Sequence, residues 1–299
     1  MAQSVEAITP VTAASRPRAP MSLAWLGVVP FFSFAALFLL IPTAYLVVGA
    51  FQDNDGHFTL ANIAGLWEPG IISAYMVSLE ISAASAVLGA GLGFLLAWAV
   101  VLGGLPAWLR PVLMTFSGVA SNFAGLPLAF AFIATLGRTG LATTLLQTVF
   151  GFSLYRAGFN ILSFWGLTIT YLYFQIPLMV LILTPALDGL KREWREAATI
   201  LGASPWVYWR DVVLPILWPS LLGTTLLLFA NAFGAIATAY GLTGSTLNLV
   251  TILLYAQIRG DVLHNAHLGY ALALGMVVIT GLSNALYIAL RTRSERWLR

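Results

Sequence analysis

Few side chains in this sequence are equipped for bond-making chemistry, and their spacing narrows the options further. The 299 residues include no cysteine, so a thiol nucleophile, a disulfide framework and a Cys-ligated metal are excluded. There are three histidines, His57, His264 and His267. The last two stand at i, i+3 beside Asn265. Two ring nitrogens without a third ligand make no metal site, and a polar loop accounts for them better. An intramembrane serine protease needs its serine and histidine in apposed spans, whereas all three histidines fall in loops between the apolar runs. There is no G-x-x-x-x-G-K-[S/T] segment, so this chain is not itself an ATPase of that type. The run Gly89-Ala90-Gly91-Leu92-Gly93 lies inside an apolar stretch, where glycines serve close helix packing rather than phosphate binding.

What remains is binding chemistry, concentrated in one polar island. Residues 196–215 read E-A-A-T-I-L-G-A-S-P-W-V-Y-W-R-D-V-V-L-P. The spacing predicts a short helix from about Glu193 to Leu201 with Ala197, Ile200 and Leu201 on one face. Glu193 and Glu196 lie in its early turns, where the macrodipole favours acids. Gly202 can take the left-handed conformation that ends it. Ser204 can cap a second, amphipathic helix with Pro205 at its first position. Leu214-Pro215 is expected to break that helix before the next apolar run. The small Ala197 and Ala198 leave room for another protein to approach closely.

The elements that carry this island are set by composition. Hydrophobic residues make up 60% of the chain and charged residues only 8%, against roughly a quarter charged in soluble domains. Such a chain cannot cover a water-facing surface, so lipid is its main solvent. No basic stripe interleaved with aromatics points to nucleic acid. Six runs are long enough to span a bilayer: 23–50, 74–102, 111–136, 161–187, 216–240 and 268–290. They are too long and too continuously apolar for barrel strands, so the expected fold is all-α with six transmembrane helices. The first run is also too long for the core of a signal peptide. A floppy tail over 1–22 therefore precedes a single membrane domain over 23–290, with a basic tail over 291–299.

Orientation follows from the cations. With both termini inside, the inner segments hold Arg16, Arg18, Arg110, Lys191, Arg192, Arg195, Arg210, Arg291, Arg293, Arg296 and Arg299. The outer loops hold only Arg138, Arg156 and Arg259. That asymmetry favours cytoplasmic termini, and it puts the island between the fourth and fifth runs in the cytoplasm. Residues 141–150 and 247–258 are expected to form extra helices outside, the second too short to span and either interfacial or re-entrant.

The island resembles the cytoplasmic signature of binding-protein-dependent ABC importer permeases. That signature runs E-A-A, three residues, Gly, nine residues, Ile, any residue, Leu-Pro. Here Glu196, Ala197, Ala198, Gly202, Leu214 and Pro215 match it, with Val212 in the Ile place. The likeness extends over most of the chain: six spans, with the signature between the fourth and fifth, are similar to the smaller type I importer permeases. Residues 229–244 and Arg259-Gly260-Asp261-Val262 resemble the spermidine/putrescine-type permeases more softly. The resemblance implies a type I ABC importer permease fold with core helices over about 74–290 and a coupling helix over about 193–204. It implies that this helix sits in a groove of a cytoplasmic ATPase subunit, with Glu196 and Gly202 as coupling residues and Ala197 and Ala198 packed in the groove. ATP and Mg would belong to that ATPase, and this chain would carry no cofactor and catalyse nothing itself. The further implied partners are a second permease subunit, expected to be a different chain, and an extracytoplasmic substrate-binding protein. The implied location is the bacterial inner membrane.

Polar groups within spans are costly and therefore candidate pathway residues. Asn122, Gln175 and Asn231 are the candidates, each read as lying within its run; the bland alternative is interhelical hydrogen bonding. Glu80 is read about six residues from an outer end, roughly 9 Å deep at helical rise, close enough to reach water. A secondary transporter or channel is the competing function, but those often carry charges deep in their spans, which this chain nearly lacks. The expected substrate is a small polar solute such as a polyamine, with iron, sulfate, thiamine or a phosphonate also open.

Overall fold

The computed structural model describes residues 27–259 and 265–295. The tail over 1–22, Trp25, the string Gly260-Asp261-Val262, His264, and the cations Arg296 and Arg299 lie outside those residues. Among the described residues every regular element is helical, apart from one isolated bridge between Gln52 and Phe58.

The chain divides into two units, residues up to Tyr45 and residues from Leu46 onward. The described part of the first lies in the helix α1 (Val29–Gly49), which continues past Tyr45. It is aromatic and exposed, with Phe31, Phe32, Phe34 and Phe38 each about two-thirds accessible. A π turn at Ala36–Leu40 comes just before Pro42. Ile41 donates back to the Ala36 carbonyl there, so the ladder widens where the proline cannot donate.

The second unit is a bundle around one central helix. In chain order it contains α2 (Ala61–Gly65), α3 (Pro69–Leu102), α4 (Leu109–Asn122), α5 (Leu126–Leu136), α6 (Leu141–Phe150) and α7 (Phe164–Asp188). There follow α8 (Arg192–Ile200), α9 (Pro205–Phe233), α10 (Ile236–Thr243), α11 (Val250–Arg259) and α12 (Ala266–Glu295). Among the described residues, six stretches are long and apolar enough to cross a membrane. The most apolar window of α7 is 61% buried, against 39% or less for the other five. This helix therefore forms the axis on which α3, α4 and α9 pack.

Close approach of α3 to α7 depends on missing side chains. A Cβ on Gly93 would sit 2.5 Å from Met179 Cβ and 2.9 Å from the Ile176 carbonyl, and one on Gly89 would sit 2.9 Å from Gln175 Cβ. Glycine at these two positions is required for the helices to meet. The glycine-rich run is thus a packing seam, as its apolar context indicates. Ser78, Ser82 and Ser85 continue it toward the start of α3, all buried.

Three expectations about element boundaries need correcting. The third run is not one helix: it breaks at residues 123–125, between α4 and α5. The fifth run breaks at Gly234 and Ala235, between α9 and α10. Conversely, Leu214-Pro215 breaks nothing, and α9 runs from Pro205 through to Phe233. A π turn at Trp209–Val213 absorbs the proline, with Leu214 donating to the Trp209 carbonyl five residues back. The same device precedes Pro42 in α1. The short helix α11 packs into the bundle against α3 and α12, with Val250, Thr251 and Ile252 buried. Its first N–H, from Val250, donates to Ser78 Oγ at 2.9 Å.

Candidate functional site

Two regions carry functional geometry: the island at 192–215 and the pair of helix breaks.

The island is built by local hydrogen bonds. A helix of nine residues is marginal alone, and none of the residues of α8 is buried. Its end is closed by a complete Schellman motif. Gly202 takes φ +78°. Its N–H donates to the Thr199 carbonyl at 3.0 Å, and the Ala203 N–H donates to the Ala198 carbonyl at 2.9 Å. Ser204 then caps α9, its Oγ accepting from the Val207 N–H at 3.3 Å, with Pro205 next. The spacing from Ala198 to Gly202 to Ser204 is therefore the spacing of a helix stop followed at once by a helix start.

This stiff corner projects an apolar ridge. Ile200 and Leu201 are each 86% accessible, Trp206 is 69% accessible, and Ala197 is exposed beside them. Charge surrounds the ridge. Arg192 pairs with Glu196 at 3.4 Å, and Lys191 lies over the Trp194 ring at 5.9 Å. Arg210 reaches Asp211 in two hydrogen bonds of 2.6 and 3.0 Å. Pro215 and Leu214 lie on the far side, inside α9, and anchor the island to the bundle through the buried Val213 and Leu217. The corner thus leaves large apolar side chains exposed, with charged groups on the same segment.

The helix breaks are joined to each other and to α7. The Gly125 N–H donates to Thr238 Oγ1 at 2.7 Å, and Tyr171 of α7 donates to the Ala235 carbonyl at 2.9 Å. Backbone groups released by the breaks thus find partners within the protein, a condition for irregular backbone at membrane depth. Neither α5 nor α10 has a side-chain cap at its start. Phe123 and Phe132 both set ring edges against Tyr173, two residues after Tyr171 on the same helix. Gly125 has φ +80° and leads directly into Leu126-Pro127.

The structure sorts the polar candidates. Asn122 is the last residue of α4, at the first break, and is exposed; its Nδ2 donates to the Gly118 carbonyl at 2.9 Å. Asn231 is exposed three residues before the second break. Gln175 is fully buried in the seam, where its Nε2 donates to Ser85 Oγ at 2.8 Å while Oε1 has no protein partner. Glu80 is deeper in its helix than its run suggested, because α3 begins at Pro69, eleven residues before it. At helical rise that is roughly 16 Å.

Two features escaped sequence reasoning. The breaks were missed, although each has Asn three residues before Gly (Asn122 and Gly125, Asn231 and Gly234), which is a readable signal. Asp53, Asp55 and His57 also come together in an exposed turn, their ligand atoms within 4.8 Å. There Asp53 Oδ1 accepts the N–H groups of His57 at 2.8 Å and Asp55 at 3.0 Å. The His57 N–H is the main cause of an Asp53 carboxyl held below the usual range. These contacts shape the turn. His267 uses Nδ1 on the Gly49 carbonyl at 2.9 Å, a contact within the fold.

A sulfate transport system permease protein, CysT of Escherichia coli, is 28% identical over 71% of this chain and 72% of its own. The CysW permease protein of the same organism is 27% identical over 72% and 71%. A probable sulfate transport permease of Chlorella vulgaris is 28% identical over 61% of this chain, and the match spans only 64% of that relative's length. Among solved structures, a bacterial ABC transporter involved in the import of the acidic polysaccharide alginate has a chain of the same fold. Its TM-score is 0.68 at 16% identity, covering 92% of this chain and 95% of that one. The family described as binding-protein-dependent transport system inner membrane component matches residues 89–299, which hold the two seam glycines, both breaks and the island; the chain belongs to that family.

Proposed function

We propose that this chain is the membrane-spanning permease subunit of an ATP-driven importer, and that the island is where a cytoplasmic ATPase subunit docks. The observation that carries the reading is the exposed, Schellman-closed corner at Arg192–Gly202. An apolar ridge of Ala197, Ile200 and Leu201 held this stiffly needs a groove to receive it. Glu196 and Gly202 then act in coupling, Glu196 by rimming the ridge and Gly202 by aiming it. Leu214 and Pro215 tie the corner to α9, so a push on the ridge is delivered to a continuous span. ATP and Mg belong to the partner. The eleven-to-three division of cations supports cytoplasmic termini, and with them a bacterial inner-membrane location.

The pathway runs past the helix breaks. Asn122 and Asn231, exposed beside them, line it, while Gln175 belongs to the wall behind. The cargo is a small oxyanion such as sulfate. Both named sulfate permeases of E. coli support this, and the polyamine expectation draws no support from these relatives. The chemistry agrees. A polyamine carries several positive charges and calls for carboxylates; among the described residues of the six long stretches, Glu80 is the one acid away from the island, with Asp188 and Asp211 beside it. Uncapped helix starts at α5 and α10 present positive dipole ends instead. A second permease subunit completes the pathway. That CysT and CysW are separate proteins, each similar to this chain, supports a partner of different sequence. An extracytoplasmic binding protein delivers the substrate.

The test is reconstitution. The chain, purified with its associated subunits and placed in liposomes, takes up labelled sulfate only when ATP is supplied on the island side. Absence of an ATPase subunit, or uptake that continues without ATP, would sink the importer reading in favour of a secondary transporter or channel. Uptake of spermidine but not sulfate would reverse the substrate assignment alone.

A further inference from the structure

One ion pair in the bundle joins distant parts of the chain. Arg110, the second residue of α4, meets Asp188, the last residue of α7, with Nη2 2.5 Å from Oδ2. The residues are 78 positions apart. Cations nearer to Asp188 in sequence are engaged elsewhere, Lys191 over Trp194 and Arg192 with Glu196. One turn further into both helices, Thr184 Oγ1, which donates to the Val180 carbonyl at 2.7 Å, lies 3.7 Å from Met114 Sδ. The far end of α4 is held on α7 by the edge contact between Phe123 and Tyr173. Thus α4 lies along α7, fastened at both ends. One end meets Asp188, four residues before the island helix begins, and the other is the first helix break.

We propose that Arg110 and Asp188 form a latch that carries movement of the island to the break at residues 123–125. When the ridge is displaced, the end of α7 moves with it through Gly189, Leu190 and Lys191. The ion pair obliges α4 to follow, and α4 ends on Asn122. Both side chains are nearly half exposed, 45% and 42%, so the pair adds little to the stability of the fold. Its consequence is geometric: it biases which of two arrangements α4 adopts, and a modest bias changes coupling severalfold. Arg110 and Asp188 are positioning residues, acting through α4 rather than touching the cargo. The inference rests on the importer reading.

The experiment uses the full complex in proteoliposomes and reads three quantities: ATPase subunits retained, ATP hydrolysed, and sulfate taken up per ATP. Arg110→Ala and Asp188→Ala are expected to retain the ATPase and hydrolyse ATP while taking up severalfold less sulfate per ATP. The exchange Arg110→Asp with Asp188→Arg restores most of the loss. Because the chain has no cysteine, Arg110→Cys with Asp188→Cys supplies an independent arm. Bridging that pair with a short bifunctional reagent restores uptake per ATP, and this decides the matter if the alanine variants do not fold. Single variants with wild-type uptake per ATP would overturn the latch, as would a cross-linked pair that stays uncoupled. A wild-type complex that lacks the ATPase, or transports without ATP, would instead overturn the importer reading.

Discussion

The island and the seam between α3 and α7 hold their shapes by opposite means. In the island no residue of α8 is buried, and Ile200 and Leu201 stand almost fully in the open. Its geometry comes from local hydrogen bonds within a dozen residues: the backbone Schellman pair around Gly202 and the side-chain cap at Ser204. In the seam, Gln175 and Met179 are wholly buried, and Gly89 and Gly93 admit α7 to contact with the α3 backbone. Its geometry comes from residues some 90 positions apart. The difference separates fold from function. Damage to the seam should remove the protein, whereas damage to the island should leave the protein in place and remove what it does.

The largest effect is expected in the seam. Gly93→Leu places a Cβ 2.5 Å from Met179 Cβ and 2.9 Å from a backbone oxygen, with no flexible tip to yield. Overpacking of this kind costs about 1–3 kcal/mol or more, and a rigid helix pair sits at the upper end. The variant should give no monodisperse peak in detergent. A well-folded Gly93→Leu protein would mean that α3 and α7 are not in fixed contact, and the comparison would fail at its first term.

Gly202→Val tests the other term. A β-branched residue at φ +78° is strained, by about 1–3 kcal/mol for such a conformation. No neighbour lies within 4 Å of the added Cβ, so the strain is relieved by opening the corner and nothing else in the fold is disturbed. The thermal midpoint in detergent should stay within a few degrees of wild type. ATP-driven sulfate uptake should fall by about tenfold or more, as a loss of aim larger than 1.4 kcal/mol predicts. Wild-type uptake would show that the corner does not couple. Ile200→Asp makes a smaller and different demand. It keeps the corner but spoils the ridge, so retention of the ATPase subunit should weaken, about tenfold for a side chain worth near 1.4 kcal/mol at an interface, with stability unchanged.

The same contrast explains what could be read from the residues alone. Caps and stops are local, so Gly202, Ser204 and Pro205 announced the island's geometry within one residue or so. The seam was legible in kind, because glycines in an apolar run mean close packing, but not in partner. The breaks were not legible from hydropathy. Phe123, Ala124, Leu126 and Ala235 are as apolar as their neighbours, and the free backbone groups are satisfied by Thr238 and Tyr171 from other elements. Pro215 misled in the other sense. A proline signals a helix end only if the preceding turn is an ordinary one, and the π turn at Trp209–Val213 removes that premise. The depth of Glu80 shifted for a similar reason, since Pro69 starts α3 ahead of the apolar run that marked it.

Gln175→Leu gives the smallest expected effect and sharpens the comparison most. The side chain is fully buried and polar, a setting in which substitution is ordinarily expensive. Its partner is not stranded, however, because Ser85 Oγ also reaches the Ser82 carbonyl at 3.2 Å. Its own Oε1 is already without a protein partner, so leucine removes one unmet acceptor along with one hydrogen bond. The Cβ that touches the Gly89 position is retained. Interhelical hydrogen bonds of this kind average about 0.6 kcal/mol, and the relief of the unmet acceptor offsets part of that. Thermal stability in detergent and sulfate uptake should both stay near wild type. A large loss of uptake at unchanged stability would move Gln175 from the wall to the pathway. The seam would then be a surface that the cargo reaches when α3 and α7 part, and fold and function would no longer be divided between the two regions.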